Sequence, residues 1–257
     1  LALTTGQIGR NGTGLHPLRG QNNVQGASDA GLIPMVFPDY QSVENQDIHS
    51  KYENFWKVEL DNKKGLTVVE VINKILEDEI KSMYIMGENP AMSDPDQNHA
   101  REALAKLDHL VVQDIFMTET AWHADVILPS SAHAEKTGTF TNTNRQVQLG
   151  RQAVPPPGDA RQDWWITQAI AQRMGLDWSY LHPRDVFNEM AQVMPSLKNI
   201  TYERLENENS VTYPCDDLNK PGNEIIFNEK FPTANGRGKI VPARLIPPAE
   251  LPDDDFP

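Results

Sequence analysis

The sequence has a single cysteine, no long hydrophobic run and a shortage of positive charge. Cys215 cannot form a disulfide within the chain, and one thiol cannot by itself hold an iron–sulfur cluster. The 23 Lys and Arg residues against 36 Asp and Glu residues give a net charge of -13, which argues against a nucleic-acid or anionic-membrane surface. No stretch is apolar enough to cross a bilayer, and the amino terminus does not resemble a signal peptide. We therefore expect a cytoplasmic protein whose partners are proteins or small molecules.

Several common catalytic signatures are also absent. The chain has no Gly-x-Gly-x-x-Gly, no phosphate-binding Gly-Lys-Ser/Thr and no Gly-x-Ser-x-Gly, so an NAD enzyme or a serine hydrolase has no motif support. His123, His133 and Glu135 are close in sequence, but their spacing does not reproduce the His-Glu-x-x-His helix of zinc enzymes. We therefore predict no metal ligands in this chain.

Helical segments alternate with short apolar strands in the middle of the sequence. The hydrophobic fraction of 39% over 257 residues is sufficient for a buried core. Helical periodicity occurs at 67–76 and 99–107, and strands are predicted at 83–86, 110–113 and 126–128. This alternation is typical of an α/β fold with a Rossmann-like parallel sheet and helices on both faces.

The flanking regions differ from this pattern. Residues 1–50 contain many Gly, Asn, Gln and Pro residues and are predicted to form an irregular loop region that belongs to a larger domain. Residues 51–210 are assigned to the α/β domain. Its other predicted elements are a hairpin or extended loop at 139–149 and helices at 164–174 and 183–194. Residues 211–257 are predicted to be an irregular tail or a connection toward a missing C-terminal domain.

The loops after the three predicted strands are candidates for ligand binding. Gly87, Glu88 and Asn89 follow the first strand, Gln113 and Asp114 end the second, and Ser130 and Ser131 come just after the third. In open α/β sheets, ligands bind at the carboxyl ends of the strands, against loops and helix amino termini. Ordinary turn and capping chemistry is the alternative interpretation, and the residues by themselves leave both open.

Residues 18–31 form the most distinctive segment of the chain. They concentrate amides, glycines and one cation, Arg19, and they show no apolar periodicity. Amide and guanidinium groups make hydrogen bonds, and glycines allow the backbone to approach a ligand closely. The segment is therefore predicted to be a binding loop.

Five segments, taken in order, resemble the catalytic subunit of molybdenum or tungsten formate dehydrogenases in the bis-molybdopterin guanine dinucleotide oxidoreductase superfamily. They are residues 18–31, 84–90, 112–118, 125–130 and 161–164. In that family the arginine of Arg-Gly-Gln-Asn-Asn is an active-site residue, so the resemblance implies that Arg19 is catalytic. The alternative is that Arg19 only ties the loop to a carboxylate such as Asp29.

The resemblance also implies residues that bind molybdopterin guanine dinucleotide carrying molybdenum or tungsten. They are Gln21, Gly87, Glu88, Asn89, Asp114, Thr118, Ser130 and Asp163. The Asp163 carboxylate could accept from the two adjacent N–H donors of guanine. It could equally be the N-cap of the helix that begins near Trp164, and both roles remain open at this point.

Other family motifs are missing from the sequence. It has no Cys-rich iron–sulfur motif, no Cys or selenocysteine followed by the active-site His, and no initiating Met. We therefore expect a fragment of a formate dehydrogenase catalytic subunit that is inactive by itself. The resemblance implies that the intact enzyme oxidises formate to carbon dioxide or reverses that reaction, with an iron–sulfur cluster in the missing region and electron-transfer subunits as partners. The alternatives are a non-catalytic scaffold of the same superfamily and a generic nucleotide-binding module.

Overall fold

The computed structural model describes residues 1–247 and 252. Its residues group into two compact units, one from Leu18 to Asn223 and one that joins Leu1–Pro17 to the described residues from Glu224 onward. The helices are α1 (Val24–Asp29), α2 (Gln46–Trp56), α3 (Val68–Leu76), α4 (Pro90–Ser93), α5 (Gln97–Lys106), α6 (Asp163–Arg173), α7 (Pro183–Val193) and α8 (Tyr202–Glu208). The strands are β1 (Val36–Phe37), β2 (Gln41–Ser42), β3 (Ser82–Met86), β4 (His109–Asp114), β5 (Val126–Pro129), β6 (Gly138–Thr141), β7 (Gln146–Gly150) and β8 (Ser210–Thr212). All of these elements lie in the unit from Leu18 to Asn223.

Strands β3, β4 and β5 form a parallel sheet in that order, flanked by helices. The α/β fold with a parallel sheet, predicted from the sequence, is confirmed, and each predicted strand lies within the observed one. Ile85 on β3 is in register with Val112 on β4, and both side chains are buried. They pack in one cluster with Leu104 of α5 and Leu110. Because all three strands run the same way, their carboxyl ends meet at one edge of the sheet.

Helix α3 begins at a capping box. The Thr67 hydroxyl accepts a hydrogen bond from the Glu70 backbone N–H at 3.4 Å, and the Glu70 carboxylate accepts from the Thr67 N–H at 2.7 Å. This arrangement satisfies two backbone donors that a helix start otherwise leaves without partners. Apolar residues on the inner side of the helix, Ile72 and Ile75, are buried against Ala103 of α5.

A second, antiparallel sheet contains β6, β7 and β8 in that order. Strands β6 and β7 form the hairpin predicted at 139–149, with Thr139 opposite Leu149. Buried side chains of this sheet, Val147 and Val211, pack in a cluster with Tyr52 of α2 and Leu205 of α8. Helices α6 and α7 confirm the predictions at 164–174 and 183–194 within one residue at either end.

Residues 24–56 contain more regular structure than the sequence predicted. Helix α2 is capped by Asn45, whose side-chain oxygen accepts from the Asp47 and Ile48 N–H groups at 3.0 and 3.2 Å. Helix α1 follows Asn23, which has a left-handed backbone and accepts from the Thr141 N–H at 2.9 Å. Helix α1 has no apolar stripe and is held by contacts with distant residues, so local pattern could not reveal it.

Among the described residues after Thr212, none lies in a helix or strand. No helix among residues 1–247 and 252 has the length and apolar character needed to cross a membrane.

Candidate functional site

In the loop after β3, the backbone is open at Gly87 and the Asn89 side chain is held by hydrogen bonds. Gly87 has a φ of 65°, in the left-handed region that favours glycine, and the space where a Cβ would project is open. The next residue, Glu88, is exposed. The Asn89 side-chain oxygen accepts from the Thr120 hydroxyl at 2.8 Å and the Thr120 N–H at 3.1 Å. Asn89 therefore joins the loop after β3 to the loop after β4.

The same Asn89 amide also reaches a carboxylate. Its nitrogen donates to Glu119 at 2.8 Å, and this hydrogen bond lowers the pKa of that carboxyl group. The Thr120 hydroxyl in turn accepts from the Ala91 N–H at 3.0 Å. Both ends of the Asn89 side chain therefore make contacts within the protein, and these contacts fix the edge of the sheet at which the strands end.

Asp114 and Thr118 lie in the second of these loops. One Asp114 oxygen accepts from the Ile115 N–H at 2.6 Å, and among the described residues no group donates to the other oxygen. The Thr118 hydroxyl accepts from the Ala121 N–H at 3.2 Å and so caps a single helical turn. Asp114 thus retains an acceptor for a ligand, whereas the Thr118 hydroxyl already has a backbone donor.

The loop after β5 contains two consecutive buried serines. Ser130 pairs with Arg161 in a parallel bridge, and the Ser131 N–H donates to the Arg161 carbonyl at 2.8 Å. The hydroxyl of Ser131 is buried without a hydrogen-bond partner among the described residues. Buried hydroxyls are normally hydrogen-bonded, so this one marks a place where a ligand atom or a water would be accommodated. Ser130 was predicted to bind cofactor, whereas Ser131 was predicted only as part of the same loop.

Asp163 is the first residue of α6, and its carboxylate has partners on both oxygens. The fully buried Gln113 donates to one oxygen at 2.7 Å, and Lys136 donates to the other. The Tyr84 hydroxyl donates to the Gln113 side-chain oxygen, and burial followed by the Asp163 charge raises the pKa of Tyr84. The N-cap of α6 is Gln162, so Asp163 does not have the capping role considered from the sequence.

This chain of hydrogen bonds could not be inferred from sequence. Gln113 and Lys136 precede Asp163 by 50 and 27 residues. Gln113 was predicted only as part of the loop after the second strand, and Lys136 was not predicted. Lys136 also donates to the Ser131 carbonyl at 3.2 Å, so the carboxylate, the ammonium group and the two serines are connected. Among the described residues, Lys136 is the cation that forms an ion pair with Asp163.

The Arg19 loop lines a cleft of about 340 Å³. Arg19, Gln21 and Asn23 lie on its wall, together with His133 and Phe140. The rings of His133 and Phe140 meet edge to face with their centroids 4.5 Å apart. The structure thus brings two predicted residues, Arg19 and Gln21, to one cleft and places His133, which was not predicted there, beside them.

A neighbouring cavity of about 430 Å³ contains Asp163 and Lys136 and shares Asn23 and Phe140 with the Arg19 cleft. Gly87, Glu88, Asp114 and Ser130 line neither of these two cavities, so the strand-end residues form a separate part of the candidate site. Within the range that the structure describes, no three His, Cys, Asp or Glu residues are grouped so that they could hold a metal ion.

Comparison with known proteins agrees with the resemblance noted in the sequence. The chain is 52% identical over 259 residues to the F420-dependent formate dehydrogenase subunit alpha of Methanocaldococcus jannaschii, which covers 100% of this chain and 38% of that protein. It is 45% identical over 259 residues to the F420-dependent formate dehydrogenase 1 subunit alpha of Methanococcus maripaludis, with the same coverage of each chain. The chain thus spans about two fifths of the length of these curated relatives. The molybdopterin oxidoreductase family matches residues 1–173, which include the Arg19 loop, the parallel sheet and all of α6. This chain belongs to the molybdopterin oxidoreductase family.

Proposed function

We propose that this chain is a segment of a formate dehydrogenase catalytic subunit and that Arg19 is the cation that binds formate. The observation that carries the proposal is the position of Arg19 in a polar cleft with the amide side chains of Gln21 and Asn23. Relatives at 45 to 52% identity over the whole chain are formate dehydrogenase alpha subunits. The reaction releases carbon dioxide, a proton and two electrons from formate, or runs in the reverse direction.

A guanidinium group suits this substrate. Formate is small, planar and anionic, and the planar fork of an arginine can donate to both of its oxygens. Gly20 has no neighbouring atoms within 4 Å of the position of a Cβ, so the backbone beside Arg19 is accessible to a ligand. Gln21 supplies an amide that can donate and accept in the same cleft.

The family implies a molybdopterin cofactor, and the described residues fit one. Asp114 has an oxygen available for an N–H donor, Ser131 has a buried hydroxyl without a partner, and Gly87 leaves space for close approach. We propose that these strand-end groups, with Gln21, hold part of a pyranopterin guanine dinucleotide with molybdenum or tungsten. When bound, that group supplies the redox chemistry, while the protein supplies orientation and electrostatics.

Asp163 requires a more specific interpretation. Its two oxygens already accept from Gln113 and Lys136, so a direct contact with guanine would have to share or replace one of these donors. We propose that Asp163 holds Lys136 in place and that Lys136 supplies a positive charge near the anionic part of the cofactor. Glu88, Asn89, Thr118 and Ser130 remain cofactor-binding proposals that the family resemblance supports.

Further parts of the intact protein complete the proposal. With only Cys215 in this chain, an iron–sulfur cluster that carries electrons away would be bound by other segments of the subunit. Electron-transfer subunits would act as partners, and a cytoplasmic location remains a prediction that fractionation of cells can test.

The experiment is the Arg19→Lys variant of the intact catalytic subunit. Lysine keeps the charge but loses the fork, so we expect kcat/KM for formate to fall about tenfold or more, because charge-assisted hydrogen bonds contribute roughly 1.5 to 3 kcal/mol. Metal and pterin content should be unchanged. Arg173→Lys, at an exposed arginine of α6, is the control and should leave formate kinetics unaltered. Normal formate kinetics in Arg19→Lys would contradict the proposal and favour a scaffold role.

A further inference from the structure

The orientation of Arg19 depends on a single side chain. Its guanidinium donates to the side-chain oxygen of Gln25 at 3.1 Å, and this is the hydrogen bond that the Arg19 side chain makes among the described residues. Arg19 itself is exposed. An exposed arginine has many rotamers, so a defined acceptor determines how often its fork points in one direction.

Gln25 belongs to a closed ring of three hydrogen bonds. Its nitrogen donates to one Asp29 oxygen at 2.7 Å and to the Tyr213 hydroxyl at 3.2 Å. The Tyr213 hydroxyl donates to the other Asp29 oxygen at 2.7 Å. Asp29 is 4% exposed, so its carboxylate relies on these protein donors.

The chemistry of the ring fixes the direction of each bond. An ionised carboxylate only accepts, so the nitrogen of Gln25 must face Asp29 and the oxygen of Gln25 must face Arg19. The reverse amide orientation would place an oxygen against the carboxylate and an N–H donor against the guanidinium. The one hydroxyl proton of Tyr213 goes to Asp29, which leaves the phenol oxygen as an acceptor for Gln25.

Tyr213 is itself held by the hairpin turn. Its N–H donates to the Arg145 carbonyl at 3.0 Å, and the Arg145 guanidinium donates to the Tyr213 carbonyl. The same guanidinium lies over the Tyr213 ring, 5.9 Å from its centroid. Burial, followed by the hydrogen bond to Asp29, raises the pKa of Tyr213, so the phenol keeps the proton that the ring requires.

We propose that Gln25, Asp29 and Tyr213 are positioning residues that fix the guanidinium of Arg19 in the orientation required to receive a small planar anion. The inference rests on the proposed function of Arg19 and extends it to three side chains that no resemblance assigned. Tyr213 comes from a segment 184 residues beyond Asp29 in the sequence, so the ring joins the end of β8 to the Arg19 loop.

The test is a double-mutant cycle in the intact catalytic subunit, with the formate dissociation constant measured by calorimetry on protein reduced beforehand, so that formate binds without being oxidised. Tyr213→Phe removes the two ring bonds that involve its hydroxyl and should weaken formate binding about threefold to tenfold, a part of the value of a hydrogen bond to a charged group. In an Arg19→Lys background the same change should have no further effect, because the group that the ring orients is gone. Hydrogen exchange of the backbone amides at 19–25 should rise in Tyr213→Phe.

A matched control is Tyr180→Phe, which removes a phenol hydroxyl that donates to the Glu189 carboxylate away from the Arg19 cleft. It should leave formate affinity and exchange at 19–25 unchanged. Gln25→Met keeps the shape of the side chain but removes the oxygen that accepts from Arg19. If Tyr213→Phe does not fold, this variant should show the same loss of formate affinity.

The outcomes separate the two proposals. If Arg19→Lys binds formate normally, the proposed function fails. If Arg19→Lys weakens binding while Tyr213→Phe and Gln25→Met bind normally, only the positioning ring is refuted. Equal losses of formate affinity from Tyr213→Phe in the Arg19 and the Arg19→Lys backgrounds would also refute the positioning ring, since the effect would then not act through the guanidinium.

Discussion

Tyr52 shows how a single polar atom is accommodated in a core. The residue is completely buried, and its ring stacks on Phe37 with the centroids 4.3 Å apart. Its hydroxyl accepts from the Gln41 amide at 2.9 Å and lies within hydrogen-bond distance of the Pro38 carbonyl at 3.3 Å. Burial, followed by the charge of Asp39, raises the pKa of Tyr52 to about 12.

This shift predicts a loss of stability in alkali. At pH values between about 10, the ordinary pKa of tyrosine, and about 12, the unfolded chain loses a proton that the folded chain keeps. The free energy of unfolding therefore falls as pH rises through this window, by at most about 1.4 kcal/mol per pH unit for one group. Below this pH window, the contribution of Tyr52 to the free energy of unfolding is fully present. Tyr52→Phe should flatten the decline, as measured by urea unfolding at a series of pH values.

The control for this residue is Ile75→Val, which weakens packing in a different buried cluster and leaves the surroundings of Tyr52 unaltered. It should lower the unfolding free energy equally across the pH series. An alkaline slope that is identical in Tyr52→Phe and the unaltered chain would show that Tyr52 does not carry the effect.

At the scale of elements, the Thr120 hydroxyl joins the loops that end β3 and β4. It donates to Asn89 and accepts from the Ala91 N–H, the second residue of α4. Thr120→Val keeps the shape and removes the hydroxyl, so a buried N–H and an amide oxygen lose a partner. We expect the free energy of unfolding to fall by about 1 to 3 kcal/mol and amide exchange at Ala91 to rise. Thr4→Val, at an exposed threonine, should change neither the free energy of unfolding nor the exchange at Ala91. If the Ala91 amide stays protected in Thr120→Val, the hydroxyl does not join the two loops.

Predictability from sequence also varies by element. Helix α3 and the three parallel strands were predicted because apolar periodicity is a local signal. Helix α1 was not, because it depends on Asn23 bonding to Thr141 across 118 residues. In the candidate site, family resemblance selected Arg19 and Asp163, but Lys136, Gln113 and the ring at Gln25 arise from long-range contacts that composition and spacing do not encode.

At the scale of the whole molecule, stability should depend on the buried cluster that unites α2, α7, α8 and the antiparallel sheet. Leu205 lies in this cluster and is completely buried. Leu205→Ala removes apolar area and leaves a cavity, so we expect the free energy of unfolding to fall by about 2 to 5 kcal/mol. Leu181→Ala, at a highly exposed leucine, should stay within about 0.5 kcal/mol. Chemical denaturation of both variants distinguishes them, and similar small losses would show that this cluster does not govern unfolding.

The parallel sheet has two unlike edges. Next to β5, the Arg161 backbone bonds to Pro129 and Ser131, whereas among the described residues no backbone group pairs with the free side of β3. Tyr84 and Met86 on that strand are 41% and 43% exposed. An unpaired apolar edge is a template for intermolecular strand addition. Concentrated solutions of this chain should therefore self-associate through β3.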